Sequence, residues 1–165
     1  MRYLPRWWKR HFLQVEFAIA ALITLLIIAW AEYFQGNLIL EDALLGRRLE
    51  IYTTLAAIYG ALLGFTITTE SIVLGYATSD RLAIVREGKQ HEQLWRVFMS
   101  AIRVLGFGTI IALLGLLVDS DSHPGWWFSY LTMFVTLLAA FRLMRCIWVL
   151  ENIINIITST PETEE

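Results

Sequence analysis

Four charged residues lie inside long apolar runs, and they are the residues of this chain best placed to do chemistry. Glu16 and Glu70 are carboxylates in the first and second runs. Arg103 and Arg142 are guanidiniums in the third and fourth runs. Ionisable groups inside a membrane are costly, so they face partner helices or water-filled spaces. The four charges therefore predict either ion pairs between helices or a polar site that water reaches.

The charges lie at a similar depth in their runs. Glu16 follows Trp8 by eight residues, and Arg103 follows Trp95 by eight, which is about 12 Å along each helix. Tryptophan prefers the membrane interface, so these two indoles mark the headgroup level. The other two charges lie at a comparable distance from the same end of their runs. We expect one layer of charge near the inner leaflet.

Two interpretations of this layer remain open. In the first, the four charges neutralise each other between helices, and Arg145 extends toward the lipid phosphates. In the second, Arg103, Arg142 and Arg145 line an electropositive vestibule open to the cytoplasm. The planar guanidinium binds two phosphate oxygens at once, so such a site would select an anionic ligand.

The second run also carries small residues at spacings of three and four, which form one helical stripe. These residues are Thr53, Ala57, Gly60, Gly64, Thr68, Ser71 and Gly75. Such a face lets two membrane helices approach closely. Gly108, Ala112 and Gly115 of the third run match it. We expect these two faces to pack together.

Thr66 and Glu70 lie four residues apart in the second run and therefore share a helical face. In one interpretation they face water and line an ion path, with Glu16 in the same charge layer. In the other, the threonine hydroxyl bonds its own backbone. A protomer of four helices is too thin to enclose a wide pore, so conduction implies a ring of subunits.

Catalytic and metal-binding motifs are absent from the sequence. His11, His91 and His123 are scattered between the two sides of the membrane, and no nucleophile elbow, zinc-protease motif or phosphate loop is present. Cys146 is the single cysteine. We therefore expect no enzyme, no metal site and no cofactor.

The composition indicates an integral membrane protein. Hydrophobic residues make up 57% of the 165 residues and charged residues only 17%, against about 45–50% and 25% in soluble domains. Each of four stretches is long enough to cross the bilayer as a helix, at about 13–33, 51–77, 98–118 and 126–148. We predict an all-α, polytopic fold in one domain, 1–158, with an acidic tail, 159–165. The length of the first run favours an uncleaved span over a signal peptide.

The distribution of basic residues sets the orientation. Arg and Lys are concentrated before the first span and between the second and third spans, whereas the loop 119–125 carries none. By the positive-inside rule, both termini lie in the cytoplasm. The fourth helix should then continue beyond the bilayer on the cytoplasmic side.

A basic, aromatic start precedes the four spans, and the second span ends in GFTITTESIVLGYATSDRLAIVREGKQ. The chain continues through HEQLWRVFMSAIRVLGFGTIIALLGLLVD. Over nearly its whole length this arrangement resembles the small four-helix membrane effectors that accompany nucleotidyltransferases in prokaryotic anti-phage operons, of the Hailong type.

The resemblance implies a homo-oligomeric ion channel, which we take as a tetramer, in the inner membrane. A short DNA oligomer or nucleotide made by the partner nucleotidyltransferase would hold this channel closed in a cytoplasmic vestibule, and its loss during infection would open the pore. Depth and charge identify the residues that could bind such a polyanion: Arg81, Arg86, Arg103, Arg142 and Arg145.

Two alternatives remain beside the channel. The first is a non-conducting membrane adaptor, in which the small-residue stripe and the cytoplasmic helix serve assembly with another protein. The second is a small secondary transporter, against which the lack of an inverted repeat or broken helix argues.

Overall fold

Four long helices account for nearly all of the described chain. A computed structural model of the protein describes residues 6–34, 44–77, 89–119 and 125–159, and side chains within residues 12–34, 44–72, 95–119 and 125–151. The helices are α1 (Arg6–Tyr33), α2 (Arg48–Ala77), α3 (Lys89–Val118) and α4 (Trp126–Ser159). The predicted acidic tail beyond Ser159 lies outside the described residues.

Each helix contains a segment long and apolar enough to cross a membrane. These segments are Phe12–Tyr33, Arg48–Ile72, Trp95–Val118 and Trp127–Glu151. The described residues are therefore all-helical, as predicted, and they include four helices long and apolar enough for a multi-pass membrane protein. The orientation, with both termini in the cytoplasm, stays a prediction.

The helices extend beyond the predicted spans at several ends. α3 begins at Lys89, nine residues before the predicted span, because Lys, Gln and Glu in this polar stretch are good helix formers. α2 begins at Arg48, and α4 continues to Ser159 over 34 residues. The apolar run thus determines which residues can cross the membrane, while helix propensity determines how far the helix continues beyond them.

The helices pack side by side in the order α2, α3, α4, α1. Among the described residues, the extensive helix contacts are those of α2 with α3, α3 with α4, and α1 with α4. The start of α2 lies beside the end of α3, where Tyr52 meets Gly115. The start of α4 also lies there, since Ser129 contacts Asp119. We call this the Asp119 end of the bundle and the opposite one the Glu16 end.

Large rings from α2 fill the spaces left by glycines of α3. A Cβ on Gly108 would lie 3.2 Å from the Tyr59 ring, and one on Gly115 would lie 2.6 Å from the Tyr52 ring. Tyr52 and Tyr59 are seven residues apart, or nearly two turns, so both point from α2 toward α3. They belong to two of the buried clusters that hold α2, α3 and α4 together.

The small-residue stripe of α2 therefore points away from α3, and the prediction that the two small faces pack together is wrong. Gly60 and Gly64 have open space where a Cβ would lie, and Thr68 is exposed. The physical reason is that two facing small surfaces bury little area, whereas a tyrosine ring set against a glycine buries much more. Gly75 lies in α2, and its surroundings fall outside the described part of the chain.

Replacing Gly115 with alanine tests this packing. The added methyl would overlap the Tyr52 ring, whose hydroxyl is fixed by Asp119. We expect the substitution to lower the free energy of unfolding by about 1–3 kcal/mol. Gly60→Ala is the matched control, because a Cβ there meets nothing and alanine favours the helix. Thermal unfolding in detergent should separate the two variants, and equal melting temperatures would contradict this account.

Candidate functional site

Two buried polar clusters lie toward opposite ends of the bundle. The Glu16 cluster joins α1 to α4 through Glu16, Arg142 and Arg145. The Asp119 cluster joins α2, α3 and α4 through Arg48 and Asp119. Each cluster contains ion pairs between helices whose other side chains are mainly apolar. Each cluster therefore holds the helices that it connects in a defined position relative to one another.

One carboxylate in the Glu16 cluster binds two guanidiniums. Arg142 donates from Nη1 to Glu16 Oε2 at 2.8 Å and from Nη2 to the Leu13 carbonyl at 3.1 Å. Arg145 donates from Nε to Glu16 Oε1. Arg142 and Arg145 are three residues apart on α4 and therefore lie on one face. The predicted charge layer included Glu16 and Arg142, which the structure brings into contact, and Arg145, which was expected nearer the headgroups, joins them.

Apolar groups close the Glu16 cluster. Glu16 is 8% exposed and Arg142 is 7% exposed. The Arg145 guanidinium lies 4.3 Å from the centre of the Phe12 ring, in a cation–π contact. Phe12 itself packs with Phe98 in a buried hydrophobic group. The cluster is thus a set of ion pairs within the subunit. The first interpretation of the charge layer is right for Glu16 and Arg142, but Arg145 binds Glu16 instead of extending toward the lipid phosphates, and Arg103 and Glu70 take no part in the described ion pairs.

Glu70 is the second carboxylate of this layer, and it is also buried. It is 8% exposed, and its Oε1 has no hydrogen-bond partner among the described residues. Nε of Arg142 is buried without a partner as well. Cys146 lies within electrostatic range of both Glu70 and the Glu16 cluster. Glu16, Glu70, Arg142 and the half-buried Arg145 together carry two negative and two positive formal charges.

Thr66 and Glu70 do not face a water path within the subunit, so that interpretation is wrong here. Thr66 is 6% exposed, and its hydroxyl donates to the Leu62 carbonyl at 2.7 Å. It follows Tyr52 and Tyr59 at the same spacing of seven residues, which places it on the inner face of α2. The alternative prediction, that the threonine hydroxyl bonds to the backbone of its own helix, is confirmed for Thr66.

The predicted anion-binding arginines are not brought together as one group. Arg103 is exposed on α3 and takes no part in the Glu16 cluster. Arg142 and Arg145 are bound to Glu16. Arg81 and Arg86 lie outside the described residues. Of the predicted arginines that the structure describes, Arg103 lies on the surface of the subunit, whereas Arg142 and Arg145 are paired within it.

One strip of the exposed surface of α2 is small and hydroxylated, and large apolar side chains such as Phe65 and Ile67 are exposed beside it. We call this strip the α2 small face, and its described residues are Thr53, Ala57, Gly60, Gly64, Thr68 and Ser71. Each of its hydroxyls donates to the backbone carbonyl four residues earlier, at 2.7–2.9 Å. The hydroxyl protons are thus used within α2, while the oxygens remain available as acceptors on the open surface.

The Asp119 cluster escaped the sequence analysis, although it has more hydrogen bonds than the Glu16 cluster. Nη1 of Arg48 donates to both oxygens of Asp119, at 2.7 and 2.9 Å. The Tyr52 hydroxyl donates at 2.6 Å, the Gly125 backbone N–H at 2.7 Å and the Ser129 hydroxyl at 3.2 Å. Asp119 is 2% exposed. Its negative charge also lies at the start of α4, where the helix dipole favours an anion.

A signal for this cluster is present in the sequence. Arg48 and Tyr52 are four residues apart at the start of α2, so they share a face. Asp119 follows the third apolar run directly. In a hairpin of two membrane helices, the start of α2 and the end of α3 lie at the same membrane surface. This places Arg48 close to Asp119. This pairing was missed because basic residues were compared loop by loop to orient the chain, and not matched to acids across the bundle.

The fold and the two clusters define a class: a four-helix, multi-pass membrane protein with a buried ion-pair cluster toward each end of the bundle. Comparison of the chain with protein family models, with curated proteins and with solved structures found no match. The function is therefore argued from the surfaces and clusters described above.

Proposed function

We propose that the chain is the subunit of a homo-oligomeric ion channel whose conduction path is lined by the α2 small face. The observation that carries this proposal is that the face lies within a membrane span and is left uncovered by the other described helices. Glycine, alanine and threonine offer lipid chains little to pack against. A second copy of the chain or a column of water suits this surface better.

The chemistry of the face supports a path for hydrated ions. The hydroxyls of Thr53, Thr68 and Ser71 donate hydrogen bonds to carbonyls of α2, and their oxygens can still accept hydrogen bonds from water. Four helices are too few to surround such a path, so several subunits must contribute one α2 each. A ring of α2 helices would then present its hydroxyls toward a central axis.

Arg103 gives further support to an oligomer. It is exposed on α3 within the span Trp95–Val118, and a charge at this depth faces water or a partner. In a ring of subunits, the exposed face of α3 adjoins a neighbour or the water-filled opening. Either place satisfies the guanidinium better than lipid does.

We also propose, from the resemblance to Hailong-type effectors, that an anionic nucleotide or DNA oligomer gates this channel in anti-phage defence. Arg103 is the exposed candidate for its phosphates. At Arg142 and Arg145 a phosphate would have to displace Glu16, because that carboxylate occupies both guanidiniums. A ligand that binds the closed ring better than the open ring would keep the channel shut.

A non-conducting adaptor is the second candidate function. Gly60 and Gly64 are four residues apart with open space above each, and this small-residue spacing favours a close, dry contact between membrane helices. In that case the α2 small face would bind a helix of another protein, and no water would enter.

Recordings from planar bilayers distinguish the channel from the adaptor. The starting protein is Cys146→Ala, since Cys146 is the single cysteine. Two variants are made from this starting protein. Thr68→Cys places a thiol on the α2 small face, and Phe107→Cys places a thiol on the exposed face of α3. We expect discrete current steps that a charged thiol reagent blocks in the Thr68→Cys protein and leaves unchanged in the Phe107→Cys protein. A silent bilayer favours the adaptor, and block at Phe107→Cys alone places the path elsewhere.

The same recordings test the gating proposal. A short DNA oligomer added to one side of the bilayer should close the channel, and Arg103→Gln should weaken this closure at least tenfold. If current steps persist unchanged with the oligomer on either side, the channel stands and the anionic ligand is wrong.

A further inference from the structure

A cavity of about 320 Å³ lies between α1, α2 and α4, next to the Asp119 cluster. Its walls are mainly apolar and include Ile27 of α1, Ile51 and Leu55 of α2, and Met133 of α4. The volume is at the lower end of the roughly 300–1,000 Å³ that small-molecule sites occupy. None of the functions proposed above uses this cavity.

The cavity extends from the polar cluster into the hydrocarbon region. Its lining on α2 runs from Arg48 to Leu55 and on α4 from Ser129 to Thr136, which is about 10 Å along each helix. Both stretches belong to membrane spans. The cavity therefore covers most of one leaflet's depth, with a charged, hydrogen-bonded end and an apolar end.

The surroundings decide what can fill this space. Water does not enter an apolar cavity that offers it few partners, and an empty one leaves its lining without dispersion contacts. In a bilayer the abundant hydrocarbon at this depth is the lipid chain. We propose that the cavity binds one acyl chain of a membrane phospholipid, which fills the gap between α1 and α2.

Two polar groups fit the head of such a lipid. The Thr132 hydroxyl lines the cavity, and within the described part of the chain its buried oxygen has no hydrogen-bond partner of normal geometry, so it can donate to the ester carbonyl of the lipid chain. Arg47 is exposed beside Arg48 at the start of α2, where its guanidinium can bind the lipid phosphate. These groups favour a phospholipid over a plain hydrocarbon.

Photolabelling tests the proposal with the full chain in vesicles of phosphatidylethanolamine and phosphatidylglycerol. The probe is a phosphatidylglycerol with a photoreactive diazirine in one acyl chain, and mass spectrometry maps the adducts. We expect Ile51, Leu55 and Met133 to be labelled at least fivefold more than Leu113, which is exposed on α3 near the level of the cavity. Uniform labelling of all four residues would overturn the proposal.

Variants separate a bound chain from general contact with the bilayer. Met133→Trp fills the cavity and should reduce labelling of Ile51 and Leu55 to the level of Leu113. Phe107→Trp, on the exposed face of α3, is the matched control and should leave the pattern unchanged. If Met133→Trp does not fold, Thr132→Val serves instead, and loss of one hydrogen bond should lower labelling about threefold to tenfold.

Two other occupants give different results. If a photoreactive free fatty acid labels the cavity and the phospholipid does not, the lipid class is wrong. If Leu55→Cys in the Cys146→Ala protein forms a crosslink to the same position of a second chain, the cavity is an interface between subunits and the lipid proposal fails. Both outcomes leave the channel recordings unaffected, so this inference and the proposed function are tested separately.

Discussion

Replacing Asp119 with alanine is expected to lower the free energy of unfolding by about 3–5 kcal/mol. The change removes the ion pair between Asp119 and the Arg48 guanidinium, which is 4% exposed. It also removes the acceptor for Tyr52, Ser129 and the Gly125 backbone. A buried group left without its partner incurs the full desolvation penalty. Unfolding by heat or denaturant in detergent measures the loss.

The double variant Arg48→Leu/Asp119→Leu provides the control for this prediction. It removes both charges together, and replacement of a whole buried ion pair by apolar side chains is often neutral or stabilising. We expect it to be more stable than Asp119→Ala. If instead the double variant is as unstable as the single one, the loss comes from packing and from the missing acceptor for Tyr52, Ser129 and Gly125, and not from the broken ion pair.

Apolar content was enough to predict the four helices, while the membrane depth that the tryptophans assign to the charge layer stays a prediction. A helix is the structure that satisfies its own backbone in lipid, so a long apolar run determines the element with little help from its neighbours. Trp8 and Trp95 then measure depth along each helix. Whether a segment forms a membrane helix depends on that segment and little on its neighbours, which is why the sequence predicts it well.

The rotation of each helix about its axis was harder to predict. The small stripe of α2 indicated a contact with α3, but Tyr52 and Tyr59 occupy that contact and turn the stripe outward. A stripe of small residues indicates close approach without identifying the helix that approaches. The choice depends on how much surface each alternative buries, and this is a property of two helices together.

The pairing of the charges was hard to predict for the same reason. The predicted layer has two acids and two bases, which favours one-to-one ion pairs. Instead, Glu16 binds both Arg142 and Arg145. The buried Oε1 of Glu70 has no hydrogen-bond partner among the described residues. The spacing of three residues on α4 lets two guanidiniums reach one carboxylate on α1. Which carboxylate they reach depends on α1 packing against α4 and on the rotation of α2.

Replacing Glu16 with alanine is the second change for which we expect a large effect. It leaves two guanidiniums three residues apart on α4, with Arg142 only 7% exposed, so the free energy of unfolding should fall by about 3–5 kcal/mol. Glu32→Ala is the matched control, since this carboxylate is exposed near the end of the same helix, and its loss should change stability little. Equal losses in the two variants would contradict a role for the buried pairs.

The same variant tests whether Glu16 occupies a site that an anion can take. Once the carboxylate is removed, the two guanidiniums present adjacent forks that fit phosphate. Pyrophosphate should then restore part of the stability of Glu16→Ala, because a ligand that binds only the folded state raises its melting temperature. The double variant Glu16→Ala/Arg142→Gln should lose this rescue. If pyrophosphate stabilises the wild-type protein equally, the anion binds elsewhere, and Glu16 does not control access to Arg142 and Arg145.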